Sequence, residues 1–277
     1  MSAPVLLAVA HGSRDPASQE SVRRLLAGAT ALRPGLRVAD AYVDNASPSV
    51  RAALQQLADG RVRDVVVLPL LLTAASHSKT DVAASVQAGR LAQPGVRLRY
   101  GRPLGPHPVL VELLARRLAE AGAREDDPVV LVAGGALDPD ANAQVAATAR
   151  LLWEGRTWPS VDVAFASTTR PTVPEALARL RVLGHRRAAV ARYFLGPGRL
   201  PGLVERQAAG VDGLDVVVSE PLGAAPELSG LMLERYDEAL GGDVRMNCDV
   251  CLYRVPLPGV EQAVGAVQEP HTHPDDR

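Results

Sequence analysis

The chain repeats itself, and the repeat is made of strand-then-helix units. Asp15-Pro16 returns as Asp138-Pro139, and Pro48-Ser49-Val50 with Leu54 and Leu57 returns as Pro171-Thr172-Val173 with Leu177 and Leu180, always at one offset. Within each copy, short Val/Leu/Ala runs alternate with longer segments of helical period. The first copy reads as strands near Val5–Ala10, Leu36–Val43, Val65–Leu72 and Val96–Tyr100. The second gives strands near Val129–Ala133, Val161–Ala166, Ala188–Phe194 and Val216–Ser219. Uninterrupted apolar strands separated by helices predict parallel sheets buried on both faces. The expected fold is therefore α/β: two similar lobes, each a parallel sheet of about four strands flanked by helices, with a central cleft. The boundaries fall at 1–124 for the first lobe and 128–241 for its copy, leaving 242–277 as an irregular Cys/His-containing tail.

At 277 residues and 47% hydrophobic content the chain can furnish two cores, and with only 3% aromatics these rest on Val, Leu and Ala. A formal net charge of −1 argues against a general nucleic-acid or acidic-membrane surface, so an anionic ligand must meet local donors. The apolar run Val5–Ala10 has no basic segment before it and reads as a strand, and Val65–Ala75 is too short for a span. Two cysteines do not form an extracellular disulfide framework, which leaves the cytoplasm as the expected compartment.

The two copies differ where chemistry would sit. Groups just past the carboxyl ends of parallel strands share one edge of the sheet. The first copy places His11, Asp44 and His77 there, and the second has Gly134, Ser167 and Leu200 at the matching positions. In His11-Gly12-Ser13-Arg14-Asp15-Pro16, Gly12 permits a tight turn, Ser13 or Asp15 can cap, and Pro16 suits the first helical position. A lone His-Gly-Ser is as readily a helix-start histidine, and His77-Ser78-Lys79 a plain loop. Their joint loss from the second copy favours function. Two imidazoles and a carboxylate suit a borderline cation such as Fe(II) or Co(II), and the same groups can accept protons near neutral pH.

The His-Gly-Ser-x-Asp-Pro start, the Leu-Pro-Leu-Leu-Leu run before His77 and the Pro-Leu-Gly-x-His-Pro segment at Pro103–Pro108 resemble the class II tetrapyrrole chelatases. More closely, the chain resembles the long, duplicated sirohydrochlorin chelatases of the CbiX/SirB type. It covers nearly all the chain and implies a lyase that inserts Fe(II) or Co(II) into sirohydrochlorin, in sirohaem or cobalamin biosynthesis. It places the catalytic and metal-holding roles on His11, Asp44 and His77, although many relatives have glutamate at the middle position. A non-catalytic metal or tetrapyrrole carrier would share these features. A hydrolase using His11 has no Gly-x-Ser-x-Gly elbow to support it.

Sirohydrochlorin is rich in carboxylates, and Ser13, Arg14, Lys79, Arg170, Arg192 and Arg199 stand at strand ends or helix starts where they can meet them. Lys79 is the only lysine in the chain. His107 matches a family histidine and also suits a helix cap. In the tail, Met246-x-Cys248-x-x-Cys251 resembles a segment that some long family members associate with an iron–sulfur cluster. Two thiolates fall short of the usual four-cysteine ligation. A redox pair, or a zinc or iron loading site with His271 and His273, stands beside that reading. One duplicated chain suffices for activity, and the tail leaves room for a dimer.

Overall fold

The computed structural model describes residues 3–246 and 248–267. The first strand β1 (Val5–Ala10) leads into α1 (Pro16–Leu32), β2 (Val38–Tyr42), α2 (Val50–Asp59) and β3 (Asp64–Pro69). A π-helical turn over His77–Asp81 then runs directly into α3 (Val82–Ala92), followed by β4 (Arg97–Tyr100) and α4 (Pro108–Glu120). The second half repeats the order. It comprises β5 (Val129–Ala133), α5 (Pro139–Trp153), β6 (Val161–Phe165), α6 (Val173–Val182), β7 (Arg187–Arg192), α7 (Arg199–Ala209), β8 (Asp215–Val218) and α8 (Pro226–Gly241). All pairings are parallel, in the orders β2-β1-β3-β4 and β6-β5-β7-β8. The expected α/β class holds, with two four-stranded parallel sheets each flanked by helices.

The local causes are visible in the sequence. Every residue of β1 is buried, as in a strand covered on both faces. Asp15 caps α1 by accepting from the Ala17 N–H at 2.9 Å, with Pro16 at the first helical position. Thr172 and Glu175 form a reciprocal capping box at α6. The duplication extends to backbone detail: Asn45 and Thr168, at matching positions, have φ of 51° and 69°. The helical stretch after β3 begins at His77, where the Val82 N–H reaches back to the His77 carbonyl and makes a π turn.

The chain divides into two compact units, residues 1–104 with 224–277, and residues 105–223. This partition differs from the repeat halves 1–124 and 128–241. Helix α4 packs with α5 and β7 in the second unit, and α8 packs with α1, β3 and β4 in the first. Residues 242–267 belong to the first unit. The apolar face of α4, with Leu110, Leu113, Leu114 and Leu118 buried, requires a sheet to cover but does not specify which copy supplies it.

In the first unit, α2 and α3 bury Val50, Leu54, Val82 and Val86 against Val5, Leu7, Val65 and Val67. Helix α8 is tied down by polar contacts. Arg33 makes a two-pronged pair with Asp237 at 2.6 and 2.7 Å, and Ser229 donates to the Leu25 carbonyl at 2.9 Å. Arg235 is fully buried, donates to the Leu104 carbonyl and pairs with Glu234 and Glu238. Burial pushes its pKa down from the usual guanidinium value. Arg102 grips Glu238 at 2.9 and 2.7 Å and holds that carboxyl below its ordinary value of 4.5.

A depressed carboxyl pKa stabilises the fold fully above the unfolded value, and the contribution is lost as pH falls through the folded one. Glu238→Gln is therefore expected to lower the unfolding midpoint at pH 7 by about 2–4 °C, the shift given by roughly 1 kcal/mol. The gap to wild type should close as the pH is taken below 4.5 in thermal melts.

The second unit has the same plan. Helices α6 and α7 bury Val173, Leu177, Leu180 and Val204 against Val130, Val132, Ala188 and Val190.

Candidate functional site

His11 directly follows β1, and the turn it opens is set by backbone contact with the neighbouring strand end. The Asp44 N–H donates to the His11 carbonyl at 2.9 Å, and Gly12 follows with φ of +97°. A Cβ on Gly12 would lie 1.7 Å from the Asp44 carbonyl oxygen, so only glycine lets the two strand ends meet. The second copy keeps this device. The Ser167 N–H donates to the Gly134 carbonyl at 3.1 Å, and a Cβ on Gly135 would lie 2.1 Å from the Ser167 carbonyl oxygen. The scaffold is duplicated and the side chains are not.

The π turn after β3 brings His77 to His11. Their ring centroids are 4.4 Å apart, with the planes at 61°. The His77 Nδ1 lies 2.6 Å from the Asp81 carboxylate, with side-chain exposures of 15% and 7%. A carboxylate accepts only, so Nδ1 carries the proton in this pair, and the lone pair of a neutral ring is left at Nε2. The turn is braced from two sides. The Tyr100 hydroxyl donates to the Ser78 carbonyl at 2.6 Å, and burial raises its pKa well above the usual phenol value. The Thr80 and Tyr253 hydroxyls meet at 2.5 Å, which joins the tail to the same turn.

The third expected member stands at the adjoining strand end, its N–H on the His11 carbonyl. Asp44 is half-buried, and its Oδ1 accepts from the Asn45 N–H at 3.1 Å, which serves the left-handed turn there. Among the described residues, no three His, Cys, Asp or Glu side chains gather closely enough to hold an ion. Of the expected set, His11 and His77 meet ring to ring, and Asp44 adjoins His11 through the backbone while its Oδ1 serves the Asn45 turn. Sequence reasoning missed Asp81. Its only signal was the four-residue spacing from His77, which on a helix puts two side chains on one face.

The expected carboxylate donors divide. Arg14 and Arg199 are exposed, with Arg199 the first residue of α7. The Ser13 hydroxyl accepts from the Asp15 N–H at 3.0 Å and shapes the turn. Lys79 is buried in the π turn, with 7% exposure, rather than solvated beside it. Arg170 is exposed but paired with Glu175, which pulls that carboxyl down to about 2. Arg192 is buried, donates to the Ser219 carbonyl, and pairs with Glu205 and with Glu220, the latter at 3.1 Å. Its guanidinium is committed within the second unit, contrary to the expectation of a substrate contact. His107 caps α4, its Nδ1 accepting from the Val109 N–H at 3.2 Å. Cys248 and Cys251 are free and half-buried beside a short 3-10 turn. His271 and His273 lie outside the described residues.

Comparison with known proteins bears on this arrangement. The CbiX family profile matches twice, over residues 5–121 and 128–239. A sirohydrochlorin cobaltochelatase of Priestia megaterium is 32% identical over 263 residues, covering 91% of this chain and 85% of the relative. A sirohydrochlorin ferrochelatase of Bacillus subtilis is 26% identical over 236 residues, covering 84% and 90%. Among solved structures, SirB from Bacillus subtilis with Fe3+ superposes with a TM-score of 0.76 at 25% identity, covering 87% of this chain and 97% of that one. Two consecutive profile matches, on two sheets of one topology, establish that this chain belongs to the CbiX family in duplicated form.

Proposed function

We propose that the chain is a sirohydrochlorin chelatase that inserts Fe(II) or Co(II), taken up as a substrate, into the macrocycle. The observation that carries this reading is the approach of His11 and His77 at one sheet edge of a CbiX family member. Insertion requires the macrocycle to lose two pyrrole protons while the ion sheds water. Two neutral imidazoles side by side serve both needs: they replace water on a borderline ion and take up a proton near neutral pH. In this reading His77, with its proton fixed on Nδ1 by Asp81, presents Nε2 to the ion. His11, the more exposed of the pair, accepts the two pyrrole protons in turn and passes each to solvent. Asp44 contributes negative charge at the adjoining strand end, which favours an approaching cation. Arg14, exposed in the turn that follows His11, is the expected donor for the substrate's carboxylates within this unit.

Insertion in this scheme rests on the histidines. Cys248 and Cys251 supply two thiols, half the ligands of a four-cysteine cluster. A single chain as the working unit is supported by His11, His77 and Asp81 belonging to one compact unit. No helix among the described residues is long and apolar enough to cross a membrane.

The test is anaerobic incubation of the purified chain with sirohydrochlorin and either Fe(II) or Co(II), following the macrocycle's absorption. Many equivalents of metallated product per chain are expected, at a rate well above that without protein. Uptake that stops at one equivalent would identify a carrier and overturn the reading.

A further inference from the structure

We infer that Asp81 is the positioning residue of the site: it holds the His77 ring and its tautomer for the incoming divalent ion. The inference deepens the chelatase reading and rests on it. Three observations carry it. The first is contact, with the Asp81 carboxylate 2.6 Å from His77 Nδ1 and nearly buried beside it. A histidine that binds a metal through one ring nitrogen usually donates from the other to a carboxylate or carbonyl, which fixes the ring and raises its basicity.

The second is the fate of the pair in the duplicated copy. His77 corresponds to Leu200 and Asp81 to Val204. Val204 is fully buried, and Leu200 packs against the same core. Where the histidine is gone the carboxylate is gone too, and the fold fills both places with apolar side chains. Asp81 therefore answers to His77 and not to the architecture.

The third is the backbone. Residues 77–81 form a π turn with the Val82 N–H on the His77 carbonyl, whereas α7 begins as an ordinary α-helix at Arg199. The widened turn occurs in the copy that has the pair. Such turns are frequent at functional sites.

The experiment is a Co(II) titration of the metal-free chain without tetrapyrrole, read by its visible absorption, for wild type, Asp81→Asn, Asp81→Val, His77→Ala and His77→Ala/Asp81→Val. Both Asp81 variants should bind Co(II) about 10- to 100-fold more weakly. On the His77→Ala background the Asp81 change should matter less than about 2-fold, because sites that act as a unit are not additive. In turnover assays the KM for the metal should rise while the KM for the tetrapyrrole stays put. Circular dichroism and thermal melts accompany each variant, and if Asp81→Val does not fold, Asp81→Asn decides. Unchanged Co(II) affinity, no Co(II) uptake by wild type, or an undiminished Asp81 effect without His77 each overturns the inference. Because the titration contains no macrocycle, a wild type that binds Co(II) but does not turn over counts against the chelatase reading alone.

Discussion

A chain carrying both His11→Ala and His77→Ala is expected to lose metal insertion by at least about 100-fold, the lower end of what a positioned acid–base group contributes. The single variants should each fall substantially without summing to the double, because two rings at 4.4 Å serve one ion. The stability effects should separate the two. His11 is exposed at the end of β1, so alanine there should cost less than at His77. His77 is a partner of the nearly buried Asp81, so His77→Ala should also lower stability by about 1–3 kcal/mol, as expected when a buried acceptor loses a hydrogen bond. Initial rates with sirohydrochlorin and Co(II), together with urea unfolding of each variant, check both statements. A double variant inserting metal at the wild-type rate would remove the histidine pair from the mechanism.

The second large effect is expected from one methyl group. Gly12→Ala places a Cβ 1.7 Å from the Asp44 carbonyl oxygen at a φ of +97°, so the backbone itself must move. Strain and overpacking together should cost about 2–5 kcal/mol. Gly135→Ala meets the Ser167 carbonyl at 2.1 Å and should cost a similar amount. The activities of the remaining folded fractions should diverge. Displacing Gly12 shifts the residue next to His11, whereas Gly135 adjoins only Gly134. Denaturant melts alongside rates per folded molecule would reveal this, and an unchanged melt for Gly12→Ala would contradict the contact.

Why some of this was legible in the sequence and some was not follows from what each residue type reports. The strands could be read because fully covered strands such as Val5–Ala10 contain nothing but apolar residues. His11 and His77 could be read because the duplicate supplies an internal control in which they are absent. Asp81 could not, since a carboxylate within a helical stretch looks the same whether it faces water or an imidazole. Arg192 misled for the converse reason: a strand-end arginine gives no sign that Glu205 and Glu220 already occupy it. Asp44 could be read as a strand-end carboxylate, but the left-handed Asn45 whose N–H its Oδ1 accepts could not be foreseen from composition.

The exchange of closing helices has a consequence for biosynthesis. Residues 105–223 are continuous, so that body can finish assembling once they have left the ribosome. The histidine-bearing body must wait for Pro226–Gly241 to emerge before its sheet is sealed. The usual order, in which the amino-terminal part matures first during translation, is inverted. A nascent chain halted at the midpoint would display β3 and β4 without the helix that packs on them.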